Sequence, residues 1–125
     1  MMRTRALTGV ALLLLVAVLA ACSGADAAQP SIDPATADVQ MSASNMAFDQ
    51  ATVTVPAGKA FTIAFTNHDS MPHNVAIKDA NGTKAFTGEV VTNGVAVYSV
   101  GSLATGTYTF VCDIHPGMTG TMTAR

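Results

Sequence analysis

The sequence predicts an all-β domain, a sandwich or barrel of about seven to eight short strands. Apolar and polar residues alternate within short segments: in FTIAFTN, Phe61, Ile63 and Phe65 occupy every second position. A period of two is typical of a half-buried strand. Turn signals separate these segments roughly every 8–12 residues, which is the spacing of sandwiches and barrels. No segment after the N-terminal region has the periodicity of an amphipathic helix.

The predicted strands follow one another through residues 39–125. Asn81–Gly82 is a strong hairpin signal, because Asn-Gly readily adopts the backbone angles of a two-residue turn. Asn93–Gly94 is a second dipeptide of this kind. The strand candidates are ATVTV, FTIAFTN, HNVAIKD, VAVYSV, TGTYTFVC and TGTMTAR.

Composition and length are those of one small domain. The chain has 125 residues, of which 50% are hydrophobic and 11% are charged, and its formal net charge is −2. Such a chain has material for a core but lacks the basic surface that nucleic-acid binding requires, so no nucleic-acid partner is expected. The sequence contains no P-loop or dinucleotide-binding motif and no internal repeat.

Residues 1–21 are predicted to be an export signal. Arg3 and Arg5 precede the apolar run ALTGVALLLLVAVLAA, an order typical of signal peptides. A membrane-spanning helix is the alternative, but it needs about 20 apolar residues. LAAC, which ends in Cys22, resembles the lipobox of bacterial lipoproteins and implies attachment of lipid to Cys22. The protein would then be anchored by lipid in the cell envelope, at the periplasmic or extracytoplasmic face of a membrane.

Residues 22–38 are predicted to connect the lipidated cysteine to the domain. The segment is rich in Ala, Ser, Asp and Pro and has few large apolar residues, which is typical of a flexible tether. The domain itself is expected over residues 39–125, and Cys112 is its single thiol. A lone thiol in an oxidising compartment is a liability unless it is buried or binds a metal.

Two short segments concentrate residues that can bind a metal. VCDIHPGM, residues 111–118, holds Cys112, His115 and Met118 at intervals of three, and SMPHNVAI holds His73 about forty residues earlier. Each of these residues alone has an ordinary explanation in the core or on the surface. Their joint occurrence inside a β pattern, in the order His, Cys, His, Met, predicts a metal site.

Strand geometry predicts that these residues meet where the core opens into loops. Because side chains alternate faces along a strand, His73 should share the apolar face of Val75, and Cys112 that of Phe110. Both residues come at strand ends. Pro116–Gly117 breaks the chain after Cys112, so the following loop can curl back over the end of the sandwich.

The chemistry of these donors favours copper. Thiolate and thioether are soft ligands, and two His with one Cys and a weak axial Met is the blue-copper arrangement. Structural zinc usually takes a fourth strong ligand in place of a thioether, and calcium and magnesium require oxygen ligands. We therefore expect one copper ion that alternates between Cu(I) and Cu(II).

CDIHPGM resembles the C-x-x-H-x-x-M ligand loop of the cupredoxins, in the short version found in amicyanins, and MPHNV resembles the segment that supplies their first histidine. The chain as a whole resembles the amicyanin- and plastocyanin-like cupredoxins. The resemblance implies a Greek-key β-sandwich or barrel that holds type 1 blue copper. It implies that His73, Cys112 and His115 are equatorial ligands and that Met118 is axial. Asn74 matches a family position that ties the two ligand loops together by hydrogen bonds.

The axial position is open between two methionines. Several cupredoxins have a longer spacing between the second histidine and the methionine than this chain, so Met122 competes with Met118. Met122 lies in TGTMTAR, a predicted strand, whereas Met118 lies in the predicted loop. The strand assignment favours Met118.

The resulting interpretation is a small blue copper protein without enzymatic activity, which carries single electrons between redox partners at the cell envelope. A copper carrier or buffer with the same ligand set is an open alternative. A cysteine enzyme is disfavoured, because Cys112 beside a histidine would also need an orienting group and an oxyanion hole. The partners are expected to be transient redox proteins, and the chain is expected to be a monomer.

Overall fold

The computed structural model describes residues 31–125 and shows nine strands and one short 3₁₀ helix, Pro34–Thr36, in that part of the chain. The strands are β1 Val39–Ser44, β2 Ala47–Phe48, β3 Thr52–Val55, β4 Phe61–Asn67, β5 Ala76–Lys78, β6 Lys84–Thr87, β7 Gly94–Val100, β8 Gly106–Val111 and β9 Thr119–Ala124. The all-β prediction is confirmed.

The strands form two sheets that enclose one hydrophobic core. One sheet has the order β2-β1-β4-β7 and the other the order β3-β9-β8-β5-β6. Neighbours are antiparallel except for β1 with β4 and β3 with β9, which are parallel. The chain crosses repeatedly from one sheet to the other, as expected for the predicted Greek-key β-sandwich.

The position of β4 explains its composition. Phe61, Ile63 and Phe65 are at most 3% exposed, as their alternation predicted. β4 lies between β1 and β7 in the middle of its sheet, and Ala64 on its other face is buried as well. The strand therefore contributes three large side chains to the core.

β1 and the two edge strands β2 and β6 have no counterpart among the six strand candidates. β2 has two residues and β6 has four, and neither contains a buried residue. Without a buried face there is no hydrophobic alternation to mark them. The hairpin signalled by Asn81–Gly82 is confirmed, because Gly82, with φ of 81°, lies between the paired strands β5 and β6; the connection is residues 79–83 and not a two-residue turn.

The predicted signal peptide, residues 1–21, and the predicted lipidation site Cys22 lie outside the described residues. Of the predicted tether, residues 22–38, the described part begins at residue 31. This part contacts the domain, since the carboxylate of Asp38 accepts hydrogen bonds from the amide and the hydroxyl of Thr62 at 2.8 and 2.9 Å. Within residues 31–125, none of the helical structure is long and apolar enough to span a membrane.

β8, the strand that leads to Cys112, is held by close packing. Phe110 is fully buried, and its ring lies over Gly120 of β9, where a Cβ atom would overlap it. The hydroxyl of Tyr108 donates to the carbonyl of Ala104 at 2.9 Å and closes the turn that enters β8. These contacts fix β8 before the chain reaches Cys112.

The pairing of β5 with β8 brings the two predicted ligand segments together. In this antiparallel pair Ala76 lies opposite Val111. His73 comes three residues before Ala76, and Cys112 directly follows Val111. The register therefore places both residues at the same end of the sheet.

Candidate metal centre

His73 is fixed by the backbone around it. Its amide donates to the carbonyl of Val91 at 3.0 Å, and the amide of Val91 donates to the carbonyl of His73 at 2.8 Å, which makes an isolated β-bridge. The side-chain amide of Asn67, at the end of β4, donates to the same Val91 carbonyl at 2.8 Å. His73 is fully buried, as its place on the apolar face predicted.

The loop after β8 curls back and closes on itself. The amide of Cys112 donates to the carbonyl of Met118 at 3.0 Å, and the amide of Met118 donates to the carbonyl of His115 at 2.9 Å. Cys112 and Met118 are buried, whereas His115 is half-buried. The turn at Pro116–Gly117 thus returns the chain to the end of the sandwich, as predicted.

Three side-chain donor atoms converge there. Nδ1 of His73 and Nδ1 of His115 are 3.1 Å apart. Sγ of Cys112 lies 3.9 Å from the first of these nitrogens and 4.0 Å from the second. By plane geometry, the point equidistant from all three atoms lies about 2.1 Å from each, close to the metal–nitrogen and metal–sulfur bonds of about 2.0–2.3 Å found in proteins. The arrangement fits a single metal ion.

The donor chemistry selects copper for this site. In the described part of the chain, no fourth His, Cys, Asp or Glu side chain joins His73, Cys112 and His115. A tetrahedral zinc site would therefore lack a strong fourth ligand, whereas one thiolate with two imidazoles suits copper. The cluster fits one copper ion.

Asp69 contacts the ring of His73 on the side away from Cys112. Its Oδ2 lies 2.8 Å from Nε2 of His73, which leaves Nδ1 to face the thiol. Carboxylates in this position orient metal-binding histidines and fix their tautomer. Sequence reasoning missed Asp69, although it lies only four residues before His73 and is the type of partner that a ligand histidine requires.

The carboxylate of Asp69 also anchors the turn between β1 and β2. The amides of Asn45 and Met46 donate to it at 2.8 and 3.0 Å, and both residues have positive φ angles, of 52° and 62°. Hydrogen bonds from the Met46 amide, the His73 ring and the Asn45 amide hold the pKa of Asp69 below its ordinary value. Asp69 thereby links this turn to the first candidate ligand.

Asn74 joins the two ligand segments. Its Oδ1 accepts a hydrogen bond from the amide of Asp113 at 2.9 Å. Its Nδ2 donates to the carboxylate of Asp113 at 3.2 Å and to the carbonyl of Gly88 at 3.0 Å. Because Asn74 follows His73 and Asp113 follows Cys112, these bonds connect the two segments directly beside the candidate metal ligands. The family resemblance implies such a connection.

The two candidate axial methionines have different settings. Met118 belongs to the ligand loop, where its carbonyl accepts the hydrogen bond from Cys112. Met122 lies in β9, opposite Tyr108 of β8 and Val53 of β3. The assignment of Met122 to a strand, which favoured Met118 as the axial ligand, is confirmed. The axial role of Met118 stays a prediction.

Comparison with known proteins agrees with this architecture. The family model of a cupredoxin-like domain matches residues 10–124. The chain is similar to amicyanin-alpha of Methylorubrum extorquens, 36% identical over 75 residues that cover 60% of this chain and 61% of the relative. It is also similar to amicyanin of Paracoccus versutus, 41% identical over 69 residues that cover 54% of this chain and 50% of the relative. The chain thus spans between half and about three fifths of the length of these curated relatives.

Solved structures show the same fold. The crystal structure of Paracoccus versutus amicyanin has a TM-score of 0.58 to this chain at 32% identity, covering 74% of this chain and 85% of amicyanin. Auracyanin of Roseiflexus castenholzii has a TM-score of 0.62 at 22% identity, covering 70% of this chain and 95% of auracyanin. The family match over residues 10–124 and the two-sheet fold show that the chain belongs to the cupredoxin-like family.

Proposed function

We propose that this protein is a small blue copper protein that carries single electrons between redox partners. The observation that carries the proposal is the convergence of Nδ1 of His73, Sγ of Cys112 and Nδ1 of His115. Copper bound there supplies a one-electron couple between Cu(II) and Cu(I). His73, Cys112 and His115 would hold the ion, with Met118 as a weak fourth ligand.

The hydrogen bonds around the site hold the ligand residues through atoms other than the three that would bind the metal. Asp69 uses Nε2 of His73, the bridge to Val91 uses the His73 backbone, and the loop closure uses the backbone of Cys112. The donor atoms are therefore positioned by the fold itself. A site preorganised in this way favours electron transfer, because the protein moves little when the charge at the site changes.

His115 connects the buried site to the surface. It is half-buried, whereas His73 and Cys112 are fully buried. Two exposed apolar residues lie within two positions of a ligand in the chain, Met71 at 48% and Ile114 at 42% exposure. A small apolar surface of this kind suits the brief encounters of electron-transfer partners, whose interfaces are small. No substrate chemistry is proposed, and the domain would act as a monomer.

Two rates measured on one copper-loaded sample test this function against a copper carrier with the same ligands. An electron carrier should exchange electrons rapidly between its oxidised and reduced forms, which NMR line broadening measures. It should also retain Cu(I) when a competing Cu(I) chelator is added at neutral pH. Slow self-exchange combined with copper loss within seconds to minutes would overturn the proposal and establish the carrier.

We also propose that the protein is exported and held in the cell envelope by a lipid on Cys22. The proposal is supported by the order of Arg3, Arg5, the apolar run and LAAC in the sequence. Cys22→Ser should release the protein from membranes or block its processing, whereas Cys112→Ser should leave lipidation unchanged. Intact mass and membrane fractionation measure this, and an unlipidated mature N-terminus in the unsubstituted protein would contradict it.

A further inference from the structure

The residue that follows Cys112 carries a charge, and its carboxylate has two partners. Oδ1 of Asp113 lies 2.8 Å from Nζ of Lys84 on β6. Oδ2 of Asp113 accepts a hydrogen bond from Nδ2 of Asn74 at 3.2 Å. The carboxylate therefore ties the ligand loop both to the first ligand segment and to an edge strand.

The ion pair between Lys84 and Asp113 lies at the surface. The Lys84 side chain is 48% exposed and that of Asp113 is 26% exposed. Exposed ion pairs contribute little to the free energy of folding, because water screens them and holding two side chains costs entropy. Its main consequence is therefore expected to be local, at the loop that it contacts.

The charge of Asp113 lies one residue from the thiolate of Cys112. A negative charge so close stabilises Cu(II) relative to Cu(I), because the oxidised ion carries the larger positive charge. The Lys84 ammonium, whose Nζ lies 2.8 Å from Oδ1 of Asp113, carries a positive charge and opposes this effect. The Asp113 carboxylate and the Lys84 ammonium both carry their ordinary charges at neutral pH, so the two charges offset each other where they meet.

We propose that Lys84 is a positioning residue that sets the reduction potential of the site through Asp113 and steadies the ligand loop. The inference rests on the proposed copper function. Lys78 on β5 also acts on the Asp113 charge at longer range, without a salt bridge. We assign the effect on the reduction potential to Lys84 on β6, because Lys84 contacts the Asp113 carboxylate directly.

Lys84→Gln tests the electrostatic part of the proposal. At a fixed solution potential and low salt, this variant should shift the ratio of Cu(II) to Cu(I) about threefold toward Cu(II), and Lys84→Arg should restore the original ratio. The shift should shrink at high salt, since exposed charges are screened. Lys59→Gln is the matched control, because it removes the same charge away from the site. Lys59 lies just before β4, and it is the opposite end of β4, at Asn67, that lies near the site.

A double substitution shows whether Asp113 transmits the effect. In an Asp113→Asn background, Lys84→Gln should shift the ratio less than in the unsubstituted background, because without its salt-bridge partner the exposed Lys84 ammonium is no longer held beside the ligand loop. An equal shift from Lys59→Gln, or a full shift that persists without the Asp113 charge, would overturn the proposal.

Whether Lys84 steadies the ligand loop can be measured without copper. In the metal-free protein, Lys84→Gln should accelerate hydrogen exchange of the Asp113 and Met118 amides severalfold, while the midpoint of thermal unfolding stays nearly constant. Unchanged exchange at both amides would refute the steadying role. If instead the loaded protein lacks the visible copper band, the proposed function fails while this exchange measurement still decides whether Lys84 holds the loop.

Discussion

Cys112→Ser is expected to abolish the intense visible absorption band of the copper-loaded protein and to weaken copper binding strongly. The band arises from charge transfer between the thiolate and Cu(II), and Cys112 is the single thiolate donor in the cluster. A serine hydroxyl is a harder ligand that stays protonated at neutral pH, so it replaces neither the bond nor the band. Visible absorption and the ratio of copper to protein measure the two effects.

The substitution also places a hydroxyl in the core, because Cys112 is fully buried. An unsatisfied buried hydroxyl costs about 1–3 kcal/mol of the free energy of unfolding. Cys112→Ala is the matched control, since it removes the sulfur without adding a hydroxyl. Both variants should lose the band, and thermal unfolding of the metal-free proteins separates loss of the ligand from loss of the fold.

Two outcomes would contradict this account. A band of unchanged intensity in Cys112→Ser would show that the thiolate does not bind the metal. A colourless unsubstituted protein that holds stoichiometric zinc after expression in copper-replete medium would count against copper as the physiological metal.

Six of the seven strands that contain buried residues were among the strand candidates; β1, with Val39, Met41 and Ala43 buried, was not. Alternation identified β4 because Ile63 and its neighbours pack into the core. Asn81–Gly82 marked the hairpin because Gly82 supplies the positive φ in its turn. β2 and β6 were missed because they lie at sheet edges and bury nothing. Local pattern therefore finds a strand only where the strand is half-buried.

The site could be predicted as far as its ligands but not as far as their supports. His73 and Cys112 were placed by the alternation of the segments that contain them, which lead into β5 and out of β8. Asp69 contacts His73 from only four residues away, but its carboxylate is fixed by the distant β1–β2 turn. Lys84 reaches Asp113 from an unpredicted strand. Such contacts depend on tertiary pairings, including the parallel pair of β1 with β4, that no local pattern in the sequence specifies.

Met118→Leu is expected to keep copper bound and to raise the reduction potential. Leucine has nearly the volume of methionine but no thioether, so it removes a weak axial donor that stabilises Cu(II). We expect the equilibrium between Cu(II) and Cu(I) to shift at least tenfold toward Cu(I), which is about 59 mV for a one-electron couple. Spectroelectrochemical titration of the loaded protein measures the shift.

Met122→Leu is the control that decides between the two candidate axial ligands. Both methionines are buried by at least 98%, so the same substitution has a similar packing cost, below about 1.5 kcal/mol, at either position. Met122 is held within β9 between β3 and β8, so its replacement should alter stability slightly and leave the potential unchanged. A rise in Met122→Leu alone would reverse the assignment. No rise in either variant would contradict the expectation that a methionine thioether stabilises Cu(II) at this site.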